Sequence, residues 1–422
     1  MTEKEKQNNI HIFSTEKFKT TTITFKFMTP LNYETITQRS VLSKVLTRAT
    51  QHFPTDKAFN QHLAGLYGAY INSSVSKYKN QHVVSISLEI VNERYLKDTT
   101  PLLEKGLDLL YEVIWNPLIH DKAFHNTYVT QEKTLLTKKL ESMVDNKSQF
   151  AFLNLMKHMF KNEAYRFLAT GQLEQIDQVT PTSLYNTYQA MITNDTSSVY
   201  IVGNVDEAHV TKMIEQKFPM PSITLEKVDK NLDLANEIQV QDIKDYDVVD
   251  QAKLNLGYRF PAIYGNANYY TFVVFNMMFG GDPSSVLFSE VREKQSLAYS
   301  IHSQIDGKNG YLFVLSGVSV DKYQVAKQTI LDEFDKFKNG NFSEEKLALA
   351  KKVIASQRYE SMDRPKSIIE IMHNQLLLDY PQSNEQYIDA INKVTKEDII
   401  ELVNQAQLDT IYVLTKGDDI NE

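Results

Sequence analysis

The apolar and polar positions of this chain fall into two series that repeat in the same order. In the first, an apolar stretch from His82 to Ile90 reads as a strand. After a polar turn, Leu103, Leu107, Leu110 and Ile114 recur at helical spacing, so residues 102–114 read as an amphipathic helix laid on a sheet. The second series gives a strand from Tyr311 to Val318, a polar turn and an amphipathic helix from Val325 to Phe337, and in both series a second long helix follows. Farther along, Val179-Thr180-Pro181-Thr182-Ser183-Leu184 and Val394-Thr395-Lys396-Glu397-Asp398-Ile399 each place a threonine where a helix begins. Its hydroxyl accepts from a backbone N–H that has no partner in the first turn. Those helices give way to short apolar strands, Val199–Gly203 and Ile411–Leu414. The offset is 215 residues for the helix starts (179 to 394) and 212 for the strands (199 to 411). A shared order at a near-constant offset predicts two homologous halves.

Strands stand before and after runs of helices rather than alternating strictly with them, which predicts an α+β fold. The expectation is two homologous αβ domains, each a mostly antiparallel sheet covered by helices. Phe218-Pro219-Met220-Pro221-Ser222 and the polar stretch up to Asn236 sustain no period, so residues 219–237 read as a linker between domains at 1–218 and 238–422.

Length and composition narrow the function. A chain of 422 residues, 42% of them hydrophobic, is large enough for two cores. With 53 acidic and 45 basic residues, its formal charge of −8 argues against a nucleic-acid partner, which would require a clustered positive surface. There is no cysteine, hence no disulfide framework and no thiolate ligand or nucleophile. Met1 to Asn9 is polar, and no run of eighteen apolar residues occurs, so a cytoplasmic protein that does not enter a membrane is expected. The ten histidines include no His-x-x-x-His pair: His120 and His125 are five apart, His52 and His62 ten. A hydrolytic zinc needs three such N or O ligands and an open position, which this spacing does not offer. Neither a Gly-x-Ser-x-Gly elbow nor a phosphate-binding glycine loop is present. Gly280-Gly281, the only glycine pair, reads as a turn or helix C-cap, with a flexible substrate loop as the alternative.

Around that pair the sequence carries a resemblance. Gly280-Gly281-x-x-Ser-x-x-Leu-Phe, then Val291-Arg292-Glu293-Lys294 and Leu297-Ala298-Tyr299-Ser300, is similar to the C-terminal-domain signature of the M16 peptidases, the pitrilysin or insulinase superfamily. Glu132-Lys133 through Leu140 resembles the family's second motif-bearing helix, and Pro181 to Asp206 resembles the end of its first domain. The chain departs from the pattern at the metal. Active members carry His-x-x-Glu-His on the first helix of the first domain and a distal Glu. The matching stretch here, Ser40 to Thr50, puts Ser40, Ser43 and Lys44 at those positions, and Lys139, seven residues past Glu132, at the distal one. A one-residue slip restores nothing, because no histidine lies between His11 and His52. Hydroxyls and ammonium groups do not assemble a zinc site, so no metal is expected in this chain.

The resemblance implies a role for what survives. Arg292 and Tyr299 stand at the family positions that hold the substrate carbonyl and stabilise the oxyanion. In two-chain members one chain has the zinc motif and the other supplies this pair. The expectation is therefore a non-catalytic subunit, inactive alone, that pairs with a zinc-bearing M16 chain in a heterodimer closing around short or unfolded peptides. Gly280, Gly281 and Ser284 are its candidate substrate-contacting residues, and Asp282-Pro283-Ser284-Ser285 reads as the turn before the helix of Arg292. Tyr299 is expected to open a strand in which Leu297, Tyr299 and Ile301 share a face. The bland alternatives are a surface ion pair of Arg292 with Glu290 or Glu293 and a half-buried strand tyrosine. Lys133, Lys138 and Lys139 read as a solvated helix face, with Lys44 or Lys139 as candidates to fill the lost metal's place. The competing function is a purely structural subunit, comparable to the core proteins of respiratory complexes.

Overall fold

The computed structural model describes residues 9–97, 99–220, 234 and 238–417. The chain forms two compact units: Met1–Glu141 with Phe167–Glu226 and Met362–Asn374, and Ser142–Arg166 with Lys227–Ser361 and Gln375–Glu422. Of the expected linker, only residues 219, 220 and 234 lie within the described residues.

The first half of the chain supplies strands β1 (Ile10–Ser14), β2 (Thr20–Pro30), β3 (Tyr70–Tyr78), β4 (Gln81–Val91), a short hairpin of β5 (Ile119–His120) and β6 (Ala123–Phe124), and β7 (Thr196–Gly203). Its helices are α1 (Tyr33–Val45), α2 (Asp56–Gly65), α3 (Leu102–Trp115), α4 (Asn126–Asp145), α5 (Lys147–Met159), α6 (Pro181–Asn194) and α7 (Glu207–Lys217). The sheet of the first unit runs β1-β7-β2-β4-β3, with β1 parallel to β7 and every other pairing antiparallel. Alternation puts Ile23, Phe25 and Phe27 of β2 on one face and Thr22, Thr24 and Lys26 on the other, and all six are buried. Gly106 lets α3 lie close to β4, since a Cβ there would stand 2.9 Å from Ile90 Cδ1. The polar face is covered by the segment Met362–Asn374. There Glu370 pairs with Lys26 at 2.6 Å, and His373 Nδ1 lies 2.8 Å from the Tyr200 hydroxyl.

A second buried network ties α1 to the sheet. Arg39 pairs with Asp195 at 2.6 Å and donates from Nε to His82 Nδ1 at 3.0 Å. With Nδ1 accepting, the ring proton is on Nε2, which donates to the Ala169 carbonyl at 2.9 Å.

The second half contributes β8 (Gln241–Tyr246), β9 (Ala252–Arg259), β10 (Ala298–Asp306), β11 (Tyr311–Val318) and β12 (Gln407–Thr415). Its helices are α8 (Tyr269–Phe279), a π-helical turn at Phe288–Lys294, α9 (Tyr323–Lys338), α10 (Glu344–Ser361), α11 (Pro365–Leu377), α12 (Asn384–Lys393) and α13 (Lys396–Gln405). Here the order is β10-β11-β9-β12-β8, with β12–β8 the parallel pair. Read from its other edge, this is the topology of the first sheet, so the repeat seen in the sequence is a repeat of folds. Both expected helix starts form capping boxes, Thr180 with Ser183 and Thr395 with Asp398.

The second sheet is likewise covered twice. Leu254, Leu256, Tyr258, Leu312, Val314, Ile411 and Val413 share a core with residues of α8, α9 and α13. The intervening Tyr311, Phe313, Tyr412 and Leu414 pack with Ala151, Leu155, Met156 and Met159 of α5. Each unit thus takes one helical segment from the opposite half of the sequence.

Burial, with Arg39 alongside, pushes His82 down to about 4 from an ordinary 6.5. The folded state therefore refuses a proton that the unfolded chain accepts, so stability is full above pH 6.5 and falls as pH drops toward 4, by about 3 kcal/mol for the whole shift. Thermal unfolding across this range should show a shallower acid slope in His82→Gln than in the wild type.

Candidate functional site

Helix α1 starts at Asn32, whose side chain caps the Glu34 N–H. It carries Ser40 and Ser43 buried, with the Ser43 hydroxyl donating back to the Ser40 carbonyl at 2.8 Å. Lys44 reaches out to hydrogen-bond the Ser73 carbonyl on β3. Glu132 on α4 is buried, and Arg48 lies 3.6 Å from its carboxylate while pairing with Asp56 at 3.0 Å. Burial pushes Glu132 above the usual carboxylate range, Arg48 and Lys44 pull it down, and Asp56 pushes it up. The Lys44 amine is pushed down, first by desolvation and also by Lys139, while Glu132 opposes that shift. Lys44 on α1 is thus linked electrostatically to Glu132 and to Lys139, both on α4.

These side chains do not fit a divalent cation. Hydroxyls, an ammonium and one carboxylate lack the imidazole and carboxylate donors a zinc requires, and among the described residues no group of three or more His, Asp or Glu is placed to hold a metal. Arg48, and with it Lys44, provides the positive charge beside Glu132. The expected lysine face on α4 divides: Lys138 and Lys139 are exposed, but Lys133 is half-buried and donates to the Val179 carbonyl at 2.8 Å. Five residues of α-helix turn the side chain by about 500°, which carries Lys133 to a different side from Lys138.

The second cluster lies at the start of β10. The π-helical turn Phe288–Lys294 ends where Gln295 N–H donates to the Glu290 carbonyl and Leu297 N–H to that of Val291. Ser296 then takes a left-handed φ of 50°. In the ladder Ala298 pairs with Val318 and Ser300 with Gly317, which leaves Tyr299 as an extra residue in a β-bulge on the edge strand. A bulge shifts the alternation by one residue. Ala298 and Ile301 are buried while Tyr299 and Ser300 face out, so the expected common face of Leu297, Tyr299 and Ile301 does not form. Tyr299 is 62% exposed.

Arg292 is also exposed, its guanidinium carbon 4.6 Å from the centre of the Phe288 ring. Glu290 is taken by Lys294 at 2.7 Å, and that lysine holds its carboxyl below the usual range. Among the described residues, neither Arg292 nor Tyr299 has an ion pair or side-chain hydrogen bond. Phe288 and Ser296 are the local supports that sequence reasoning missed. The spacing of four between Phe288 and Arg292 was the available signal for the first.

Gly280 and Gly281 close α8, both N–H groups donating to the Asn276 carbonyl at 3.0 and 2.8 Å. A Cβ on Gly280 would lie 2.7 Å from Ser303 N, and Ser303 N–H donates to the Gly280 carbonyl. Gly280 is therefore buried where a helix end meets β10, whereas Gly281 and Ser284 are at the surface. The Ser284 N–H and hydroxyl both donate to Asp282 Oδ1, at 2.9 and 2.7 Å, forming the turn before the helix of Arg292.

Comparison with known proteins identifies the family and the fold. A family model described as "Peptidase M16 inactive domain" matches residues 178–354. A Bacillus subtilis (strain 168) protein named "Probable inactive metalloprotease YmfF" is 38% identical over 404 residues, covering 96% of this chain and 95% of that protein. The crystal structure of a conserved protein from Enterococcus faecalis matches with a TM-score of 0.89 and 31% identity, covering 98% of this chain and 97% of that one. A peptidase M16 inactive domain from Pseudomonas fluorescens, at 16% identity and a TM-score of 0.77 over 98% and 97% of the two chains, shares the fold.

Three substitutions probe these clusters. Lys44→Met removes a charge that draws Glu132 down, so the Glu132 carboxyl should titrate higher in NMR; an unchanged titration would refute the electrostatic link. Ser296→Gly should keep the thermal midpoint, because glycine accepts the left-handed backbone. Ser296→Val should lower stability by about 1–2 kcal/mol.

Proposed function

Because the chain belongs to the M16 peptidase family, we propose that it is a non-catalytic member working as one subunit of a two-chain zinc peptidase, lending Arg292 and Tyr299 to peptide substrate held at its partner's zinc. The observation that carries this reading is the presentation of the pair: a guanidinium and a phenol, both exposed, with no ion pair or hydrogen bond to other described residues, one backed by an aromatic ring and the other set out on a bulge. Uncommitted N–H and O–H donors of this kind suit a peptide carbonyl that becomes an oxyanion as it is attacked. The hydroxyl and ammonium groups of Ser40, Ser43, Lys44 and Lys139 support assigning the metal to the partner, and so does the name of the Bacillus subtilis relative. The exposed Gly281 and Ser284 are the candidate contacts to the substrate main chain, with Gly280 shaping the strand behind them. We place this work in the cytoplasm, consistent with the lack of cysteine; among the described residues no helix is long and apolar enough to cross a membrane.

The test is hydrolysis of an internally quenched peptide by this chain, by a zinc-bearing M16 chain and by their equimolar mixture, with zinc counted in each. Only the mixture should cut, with zinc tracking the partner. Arg292→Ala or Tyr299→Phe should leave assembly intact and lower kcat on the order of a hundred-fold. A partner that cuts equally well without this chain would establish the scaffold role instead.

A further inference from the structure

We infer that Phe288 is the positioning residue for Arg292: its ring holds the guanidinium in the orientation from which it reaches a substrate carbonyl. This rests on the role of Arg292 proposed above. An exposed arginine with no ion pair or hydrogen bond has several free torsions, and a donor that must find its acceptor in the transition state is weakened by that freedom. Here the guanidinium carbon is 4.6 Å from the ring centre, inside the range over which a cation is attracted to an aromatic face. Phe288 is half-buried in the π-helical turn, whose Val291 belongs, with the preceding Leu287, to the core of the second unit. The neighbouring acid Glu290 is engaged by Lys294, so it does not draw Arg292 away. Stacked on a ring, a guanidinium keeps its N–H edge free for a planar oxygen acceptor, which is the chemistry of a peptide carbonyl.

The backbone of the segment favours this placement over a purely local accident of packing. A π-helical turn is rare and commonly sits at functional positions, and this one ends directly in the left-handed Ser296 and the bulge of Tyr299. One short segment therefore orients both donors, Arg292 through the ring and Tyr299 through the backbone.

The experiment compares Phe288→Met, which keeps volume without the ring, with Phe288→Tyr, which keeps the ring. Both are tested in the assembled pair on the same quenched peptide, with thermal unfolding and assembly checked in parallel. Phe288→Met should lower kcat about two- to five-fold with little change in KM, the size of an exposed cation–π contact, and Phe288→Tyr should restore it. In an Arg292→Ala background Phe288→Met should have no further effect. In the isolated chain, the Arg292 Nε–H resonance should lose its ring-current shift in Phe288→Met and keep it in Phe288→Tyr. If Arg292→Ala lowers kcat while Phe288→Met leaves it at the wild-type value, or lowers it equally in the Arg292→Ala background, the positioning role is overturned and the function of Arg292 stands. If Arg292→Ala itself leaves kcat unchanged, the proposed function fails, and the positioning role with it.

Discussion

A strand removed from water on both faces needs two covering layers, and the central strands β2 and β9 are of that kind: alternate residues point to opposite sides and both sets are buried. Helices of the same half cover one face. The other is covered by a segment borrowed across the sequence, residues 362–374 in the first unit and α5 in the second. The two cases differ in chemistry. Over the second sheet the contact is apolar, through Leu155, Met156 and Met159. Over the first it is largely polar, through Lys26 with Glu370 and Tyr200 with His373. Buried polar contacts of that sort fix geometry strictly, because a misplaced partner leaves a charge or hydroxyl unsatisfied away from water.

Between α1 and α4 the buried charge is balanced by cationic side chains. Glu132 is buried, and a buried carboxylate needs positive charge nearby. Arg48 and Lys44 provide it, and Lys44 is anchored at its tip by the Ser73 carbonyl. A tethered ammonium balances charge but has no empty orbital with which to polarise water.

The start of β10 follows the opposite logic, with two side chains that have no ion pair or side-chain hydrogen bond among the described residues. Arg292 lies on a ring rather than on Glu290, and Tyr299 is displaced from the ladder rather than packed within it. Both features depend on backbone irregularities, a π-turn, a left-handed serine and a bulge, which are local strains that the rigid sheet behind them can support.

The amino-acid sequence by itself determined the doubled architecture. Period-two strands, helical repeats and threonine caps recur at a fixed offset, and these are local signals that each segment carries whatever its surroundings. It also placed Ser40, Ser43 and Lys44 on α1, hydroxyls and an ammonium rather than imidazoles and a carboxylate. Only the tertiary structure decided that α5 and residues 362–374 exchange between units, because nothing in an amphipathic helix names the sheet it will cover. It likewise decided that Lys133 turns inward to Val179, that Phe288 underlies Arg292, and that Tyr299 leaves the face of Ile301. The last of these depends on a single inserted residue, set by pairing with β11 rather than by the β10 sequence, and a one-residue shift reverses every side chain that follows.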